Sequence, residues 1–388
     1  VSWRPDFEIH ADVEQAHTPP PAFYRSDAAF AAMREQVFAR GWQWLCHGSA
    51  LPAAGEARPF TLLPGLLDEP LVLTREMNGT LHALSNVCTH RGRVLVEAPM
   101  TLDAGPAPIR CPYHGRRFAC DGRMHFMPGF DGVLGFPAAS DHLPRLAVHD
   151  WAGQVFVALP EARPAFDLAA TLGGIEARLH GLYPGPLAAF VPDPARDRDF
   201  TFEAHWALYV DNYLEGLHIP FVHPGLTQTL DWQRYRYELF DGGNLQLGLA
   251  AADEPAFEPP PSSPERGQRV AAYYWWLFPN LMLNFYPWGL SLNLVLPLSP
   301  TRTRVLFRGF VADAAQLGRA QAGAGGALDA VELEDQSAIL GVQRGLASRL
   351  ATRGRYSPQH ERGTHQFHRM LLGALQASMP RTQLMISG

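Results

Sequence analysis

The sequence predicts an α+β protein of two domains, a small all-β domain followed by a larger one of interspersed strands and helices. Three observations carry that reading. At 388 residues the chain suits about two domains of roughly 100–200 residues each. From about residue 43 to 160 it runs as short β-type segments separated by turn signals. After residue 161, strand-like and helical stretches follow one another, the pattern of a layered α+β structure.

Residues 1–42 form a mixed arm with a helix expected over 27–40, and the arm is expected to pack on the larger domain. In the small domain, 71–74, 81–84 and 154–158 read as strands. Asn78-Gly79 and Asp121-Gly122 read as hairpin turns, because Gly adopts the positive φ such turns require. The larger domain, 161–388, has strand-like runs at 200–204, 245–250, 273–276, 290–296 and 305–311. Helical stretches are expected at 167–179, 208–217, 328–349 and 360–377. The Pro-rich segment 253–268 reads as a mobile surface loop, either a hairpin extension or a substrate-gating lid. No internal repeat is apparent.

Composition narrows the function. Hydrophobic residues make up 47%, enough for a sizeable core, and the net charge is −6 with no basic block, which speaks against a nucleic-acid partner. The first residues lack the basic-then-apolar order of a signal peptide. The longest apolar stretch, 277–298, is punctuated by Pro279, Pro287 and Pro297 and does not read as a membrane span. Four cysteines in a long chain do not make a disulfide framework, so a cytoplasmic protein is expected. Cys46 and Cys120 read as core residues.

The other two cysteines sit in Cys88-Thr-His90 and Cys111-Pro-Tyr-His114. Each pair joins a thiolate and an imidazole on one short loop. One zinc ion would accept all four. A [2Fe–2S] cluster with sulfur ligands on one iron and nitrogen ligands on the other needs one Cys and one His from each of two facing loops. Gly92 and Gly115 follow the pairs and permit tight turns against a cluster. Cys-Thr-His-Arg-Gly followed by Cys-Pro-Tyr-His-Gly resembles the Rieske box of the ring-hydroxylating oxygenase α subunits. Many members have Trp after the second His-Gly, where this chain has Arg116.

A second constellation is Glu215-Gly-Leu-His218-Ile-Pro-Phe-Val-His223. Two His five residues apart lie roughly 140° apart on a regular helix, but Pro220 disfavours helix at Ile219 and lets His223 swing back towards His218. Two His and a carboxylate on one face is the ligand set of non-haem Fe(II) oxygenases. In the helix 328–349, Leu328, Val331, Asp335, Ile339, Val342, Leu346 and Leu350 form one stripe with Asp335 near its centre. A carboxylate on a buried face needs a cation, either iron or a buried Arg. Glu332, at the stripe's margin, is the alternative ligand.

Glu334-Asp335 with Gln343-Arg-Gly, together with Gly354-Arg-Tyr and His365-Gln-Phe-His-Arg-Met-Leu, resembles the same family, closest to its choline-monooxygenase-like branch. The resemblance covers nearly the whole chain. It implies a Rieske β domain and a helix-grip catalytic domain with a large antiparallel sheet. It also implies one [2Fe–2S] cluster held by Cys88, His90, Cys111 and His114, and one Fe(II) held by His218, His223 and Asp335. Glu215 stands where the family has an acid that bridges an iron His to a cluster His of the neighbouring subunit, in a homotrimer. His205-Trp206 stands where relatives often have Asn-Trp. His205, His360, His365 and His368 read as hydrogen-bonded structural groups.

The implied activity is that of a terminal oxygenase that hydroxylates or N-demethylates a small substrate. A quaternary ammonium compound fits an aromatic pocket by cation–π attraction, and a flat aromatic acid fits it equally. Trp275, Phe285 and Trp288 are the pocket candidates. The chain has no flavin- or nicotinamide-binding Gly motif, so a separate NAD(P)H-dependent reductase, alone or through a ferredoxin, is expected to deliver electrons. A non-enzymatic Rieske carrier is the reading from another class, and the second His/His/Asp set speaks against it.

Overall fold

The computed structural model describes residues 3–377 except 104, 232–233, 252, 322, 324, 327 and the side chain of Gln228. Parts of two expected segments, residues 1–2 of the arm and 378–388 of the larger domain, lie outside the described residues. The chain divides into two compact units, Ala39–Pro164 and Val1–Phe38 with Ala165–Gly388. Among the described residues no helix is long and apolar enough to cross a membrane.

The unit Ala39–Pro164 is all β with short helical turns. Its strands are β1 (Gln43–His47), β2 (Glu56–Leu62), β3 (Glu69–Arg75), β4 (Leu81–Ser85), β5 (Met100–Thr101), β6 (Ile109–Arg110), β7 (Arg117–Phe118), β8 (Met124–Phe126), β9 (Arg145–Trp151) and β10 (Gln154–Ala158). Seven of them form a sheet in the order β1-β10-β9-β4-β3-β2-β5, and β6-β7-β8 form a small second sheet. Both expected turns are present: Gly79 (φ 93°) joins β3 to β4, and Gly122 (φ 84°) joins β7 to β8. Val72, Leu84, Ile109 and Phe118 bury their side chains in one cluster that also takes in Cys88 and Cys111. That cluster fixes the loops of Cys88 and Cys111 to the two sheets. Cys46 is buried in β1, where burial pushes its thiol up to about 12, and Cys120 is half-buried.

The second unit is built on one antiparallel sheet. Its strands are β11 (Val191–Pro192), β12 (Arg198–Phe202), β13 (Arg236–Phe240), β14 (Gly243–Leu249), β15 (Val270–Leu277), β16 (Leu281–Tyr286), β17 (Gly289–Ser299) and β18 (Arg302–Val311). The order is β11-β18-β17-β16-β15-β14-β13, with β12 also paired to β18. β14 to β17 are buried on both faces almost throughout, which is why they read as near-continuous apolar runs. The helices are α1 (Asp27–Met33), α2 (Leu168–Leu179), α3 (Trp206–Tyr213), α4 (Ile219–Val222), α5 (Leu226–Thr229), α6 (Leu328–Gly345) and α7 (Arg362–Gln376). α1 continues into a π-helical turn, Arg34–Phe38.

The N-terminal arm is tied to this unit by specific bonds. Tyr24 donates to Asp211 (3.2 Å) and meets His368 (3.0 Å), and the Arg353 guanidinium donates to the carbonyls of Thr18, Glu8 and His17.

Three expectations need correction. The apolar stripe of α6 holds only to Ile339. Val342 and Leu350 are 49% and 89% exposed and the helix ends at Gly345; beyond Ile339 it keeps a polar tie inward, Gln343 accepting the His205 N–H (2.9 Å). The segment 253–268 is anchored, not a free loop. Phe257 is buried and pairs with Val270, and the buried Glu265 is gripped by Arg178 (2.5 Å). The chain break near His218 lies upstream of Pro220. α3 stops at Tyr213, and Pro220 sits in the first turn of α4, where a missing N–H costs nothing.

Candidate metal centres and the cavity beside one of them

The first centre is two loops with one backbone design. In the loop after β4, the Cys88 N–H donates to the Arg93 carbonyl (2.8 Å) and the Gly92 N–H to the Cys88 carbonyl (2.9 Å). In the β6–β7 hairpin, the Cys111 N–H donates to the Arg116 carbonyl (2.8 Å) and the Gly115 N–H to the Cys111 carbonyl (3.1 Å). The glycine four residues after each Cys has a positive φ, 70° and 77°, which closes both turns. The His lies two residues after Cys in one loop and three in the other, yet the rings of His90 and His114 come together, with centroids 4.7 Å apart.

Cys88 and Cys111 are buried behind them, and burial raises the Cys88 thiol. His90 Nδ1 is buried with no hydrogen-bond partner among the described residues. A buried imidazole nitrogen with no protein partner, beside paired buried thiols, fits the donor set of a [2Fe–2S] cluster.

Arg116, the departure from the resemblance, is 2% exposed. It donates to the Thr89 hydroxyl (2.8 Å), faces Asp141 (3.3 Å) and lies over the rings of Phe130 and Phe136. It ties the second metal loop to Thr89 in the first.

The second centre joins α4 and α6. His218 precedes the single turn of α4 and His223 follows it, so the two rings end 5.1 Å apart. Asp335 on α6 faces both: its Oδ1 is 2.9 Å from His223 Nε2 and 3.5 Å from His218 Nε2. The three offer ligand atoms within 4.8 Å of one another. The far nitrogens are held by carboxylates. Glu215 is 2.7 Å from His218 Nδ1, and Glu334 is 2.7 Å from His223 Nδ1. Each acid fixes its ring with Nε2 towards the shared point, the arrangement that orients histidine ligands and raises their basicity. Burial pulls the His223 pKa down, but the hydrogen bonds and charges of Asp335 and Glu334 outweigh it and leave the group above its ordinary value.

Glu215 meets His218 through a turn, not through the helical spacing expected. It also accepts from the backbone N–H groups of Leu217 and His218. Glu332 does not join the ligand cluster. The partner role of Glu334 was not read from the sequence. Its signal was the adjacent acid pair, Glu334-Asp335, facing one imidazole from two sides.

Residues 189–377 match the family described as ring hydroxylating alpha subunit (catalytic domain), and residues 41–137 match the Rieske [2Fe-2S] domain. The carnitine monooxygenase oxygenase subunit of Escherichia coli (strain K12) is 32% identical over 293 residues, 73% of this chain and 72% of that protein. The chain belongs to the Rieske ring-hydroxylating oxygenase α-subunit family. The chloroplastic choline monooxygenase of Arabidopsis thaliana is 28% identical over 379 residues, 94% of this chain and 85% of that protein. The quaternary ammonium Rieske monooxygenase CntA, solved with an inhibitor, superposes with a TM-score of 0.71 at 25% identity, covering 94% of this chain and 97% of that one. As a member of this family the chain is an oxidoreductase that carries one [2Fe–2S] cluster and one mononuclear iron.

A cavity of about 110 Å³ opens on His218, His223 and Asp335. Tyr209, Tyr213, Tyr235, Tyr274 and Tyr286 line it. Tyr235 stacks near-parallel on Tyr274, which meets Tyr286 edge-on. The expected pocket residues Trp275, Phe285 and Trp288 do not line it. Strand side chains alternate between faces, so Tyr274 and Tyr286 point to the side of His218, His223 and Asp335 while Trp275 and Phe285 point away. Trp288 lies instead against the Arg196 guanidinium, 4.4 Å away. None of the residues 253–268 lines the cavity.

His205 also has a defined place. Its Nδ1 accepts the Ala207 N–H (3.2 Å) at the start of α3, so it caps the helix as an Asn there would. His365 and His368 are buried, with His10 O and with Tyr356 and Asp211 as their partners.

Proposed function

We propose that Cys88, His90, Cys111 and His114 hold the cluster, that His218, His223 and Asp335 hold the iron, and that the chain is the terminal oxygenase acting on a quaternary ammonium compound. The observation that carries the substrate class is the cavity over the iron ligands, walled by five tyrosines. Tyrosine faces attract a cation that has no N–H to offer, by about 0.5–2 kcal/mol per contact. The names of the choline and carnitine relatives point to the same chemistry.

When bound, the cluster supplies single electrons and the iron activates O2 for insertion into a substrate C–H bond, which leads to hydroxylation or N-demethylation. The chain's own residues prepare that chemistry. Glu215 and Glu334 hold the Nδ1 atoms of the two histidines, so both rings present Nε2. The tyrosines wall the site with large, poorly hydrated faces and exclude bulk water from the reacting carbon. Two of their hydroxyls are engaged by neighbours: Tyr209 donates to Glu332 (2.7 Å) and Tyr213 to Asn284 (2.6 Å).

Glu215 is proposed to link His218 to a cluster histidine of a neighbouring subunit in a homotrimer. Leu217 and Phe221 beside it are 38% and 81% exposed, which suits an apolar subunit interface there. Electrons come from NAD(P)H through a separate reductase, directly or by way of a ferredoxin. Cys46 and Cys120, the two cysteines outside the cluster loops, form no disulfide, which suits a reducing cytoplasm.

The test has two parts. Purified protein should be red-brown, with about three irons and two labile sulfides per chain. With a surrogate reductase, choline should yield an oxidised product by mass spectrometry, and a panel of aromatic acids should not. Colourless protein holding zinc and no sulfide would overturn the metal assignment. Turnover of aromatic acids alone would overturn the substrate class.

A further inference from the structure

We infer that Glu332 is the counter-ion of the substrate's cationic head and that the cavity selects cations bearing no carboxylate; this rests on the quaternary ammonium reading above. Glu332 is 4% exposed and lines the cavity beside the iron ligands. Both of its oxygens are positioned by neutral donors, Tyr209 Oη–H on Oε2 (2.7 Å) and Gln336 Nε2 on Oε1 (2.8 Å). Among the described residues no cationic side chain pairs with it. The other acids at the cavity are committed, Asp335 to the two histidine Nε2 atoms and Glu215 to His218 Nδ1.

A buried carboxylate without a counter-cation is costly unless a ligand supplies one. Burial pushes this carboxyl up to about 7, and a cation in the cavity would return it to the ionised form. Glu332 thus acts as a substrate-binding residue whose carboxylate meets a counter-cation when the substrate is present.

The same wall defines what is excluded. The chain's 32 lysine-plus-arginine residues are all arginines, and none of those described lines the cavity. A zwitterion such as glycine betaine or carnitine would bring its own carboxylate into a site that already holds Glu332 and, among the described residues, has no arginine to receive it. A cation with a neutral tail, such as choline, brings no second carboxylate to the tyrosine faces, apolar side chains, amide groups and Glu332 that line the cavity.

The experiment uses the loaded holoenzyme with three probes: choline, its neutral carbon isostere 3,3-dimethylbutan-1-ol, and glycine betaine. Binding is read by calorimetry and turnover by product formation. Wild-type protein is expected to bind choline about thirtyfold more tightly than the isostere, the size of effect a buried charge partner carries. Glu332→Gln keeps the shape and should collapse that preference towards unity, raising KM for choline while kcat changes little. Glu332→Asp keeps the charge and should restore part of the preference.

Iron and sulfide content confirm that each variant is loaded. A purely structural role would weaken choline and isostere alike, and that result overturns the counter-ion assignment. Glycine betaine processed as well as choline overturns the selection by tail charge while leaving the quaternary ammonium reading intact. Binding of no ammonium compound, with oxidation of an aromatic acid, overturns both.

Discussion

The two units each bury one charged side chain beside a metal centre, and the two are built in opposite ways. Arg116, next to the cluster loops, brings its own compensation: the Thr89 hydroxyl, the Asp141 carboxylate and two aromatic faces. Glu332, next to His218, His223 and Asp335, has two neutral donors and, among the described residues, no cation. Arg116 meets its counter-charge, Asp141, within its own unit and belongs to the architecture. Glu332 does not, and on the inference above its place is reserved for the substrate's cation. The contrast explains why an arginine can stand in the Rieske loop where relatives often have tryptophan. Its long side chain reaches across to the first loop, and its charge is neutralised on the spot.

The contrast can be broken most forcefully at the iron. Asp335→Ala removes the carboxylate that faces both histidines, and turnover should fall to background, by about a thousandfold or more. The cluster's colour and EPR signal should persist, because no cluster ligand is touched. Loss of the EPR signal would mean that the two centres are not separately built.

The stabilities of the substrate-free protein sharpen it further, because the two charges should respond with opposite signs. Arg116→Met leaves Asp141 facing a hole and is expected to cost about 3 kcal/mol, with loosened retention of the cluster. Glu332→Gln should stabilise. The Glu332 carboxyl sits at about 7 in the folded chain against an ordinary 4.5. The folded state therefore holds a proton that the unfolded state has lost between those values, and native stability falls as pH rises through that window. At pH 8 the variant should gain up to about 3 kcal/mol over wild type, and at pH 4 nearly nothing. Denaturant melts of both variants at the two pH values read the signs directly.

Much of this was legible in the sequence, and the limits follow physical lines. That the loops of Cys88/His90 and Cys111/His114 come together was legible because mixed thiolate–imidazole loops have few alternative uses. That His218, His223 and Asp335 converge was legible from ligand chemistry and helical periodicity. What failed was orientation. Trp275 and Phe285 were singled out as aromatic, but one residue along a strand reverses the face, and Tyr274 and Tyr286 hold the cavity side. The stripe of α6 was extended to Val342 and Leu350 because periodicity says which residues share a face and not how far a neighbour covers it. Glu334 was passed over because its partner, His223, is 111 residues away. Glu332 was weighed as a metal ligand, since nothing in a sequence tells an acid that faces a metal from one that faces the space beside it.

The smallest expected effect concerns a third kind of buried titratable group, one with neither counter-ion nor ligand. His205 is wholly enclosed at the start of α3, where its Nδ1 accepts a backbone N–H and its Nε2 has no partner among the described residues. Only the neutral ring can accept that bond, and burial pulls the pKa down to about 3. The unfolded chain protonates the same ring near 6.5, so between those values the unfolded state holds the extra proton and native stability falls as pH falls. At pH 5 the loss from this residue is about 2 kcal/mol, growing to the folded pKa. Asn caps the same turn without titrating, so His205→Asn should match wild type at pH 7.5 and exceed it by that amount at pH 5. Thermal melts of the two proteins at both pH values are the measurement. Parallel acid losses would show that the acid sensitivity lies elsewhere, and that a buried histidine in a capping position is as inert to pH as the asparagine it replaces.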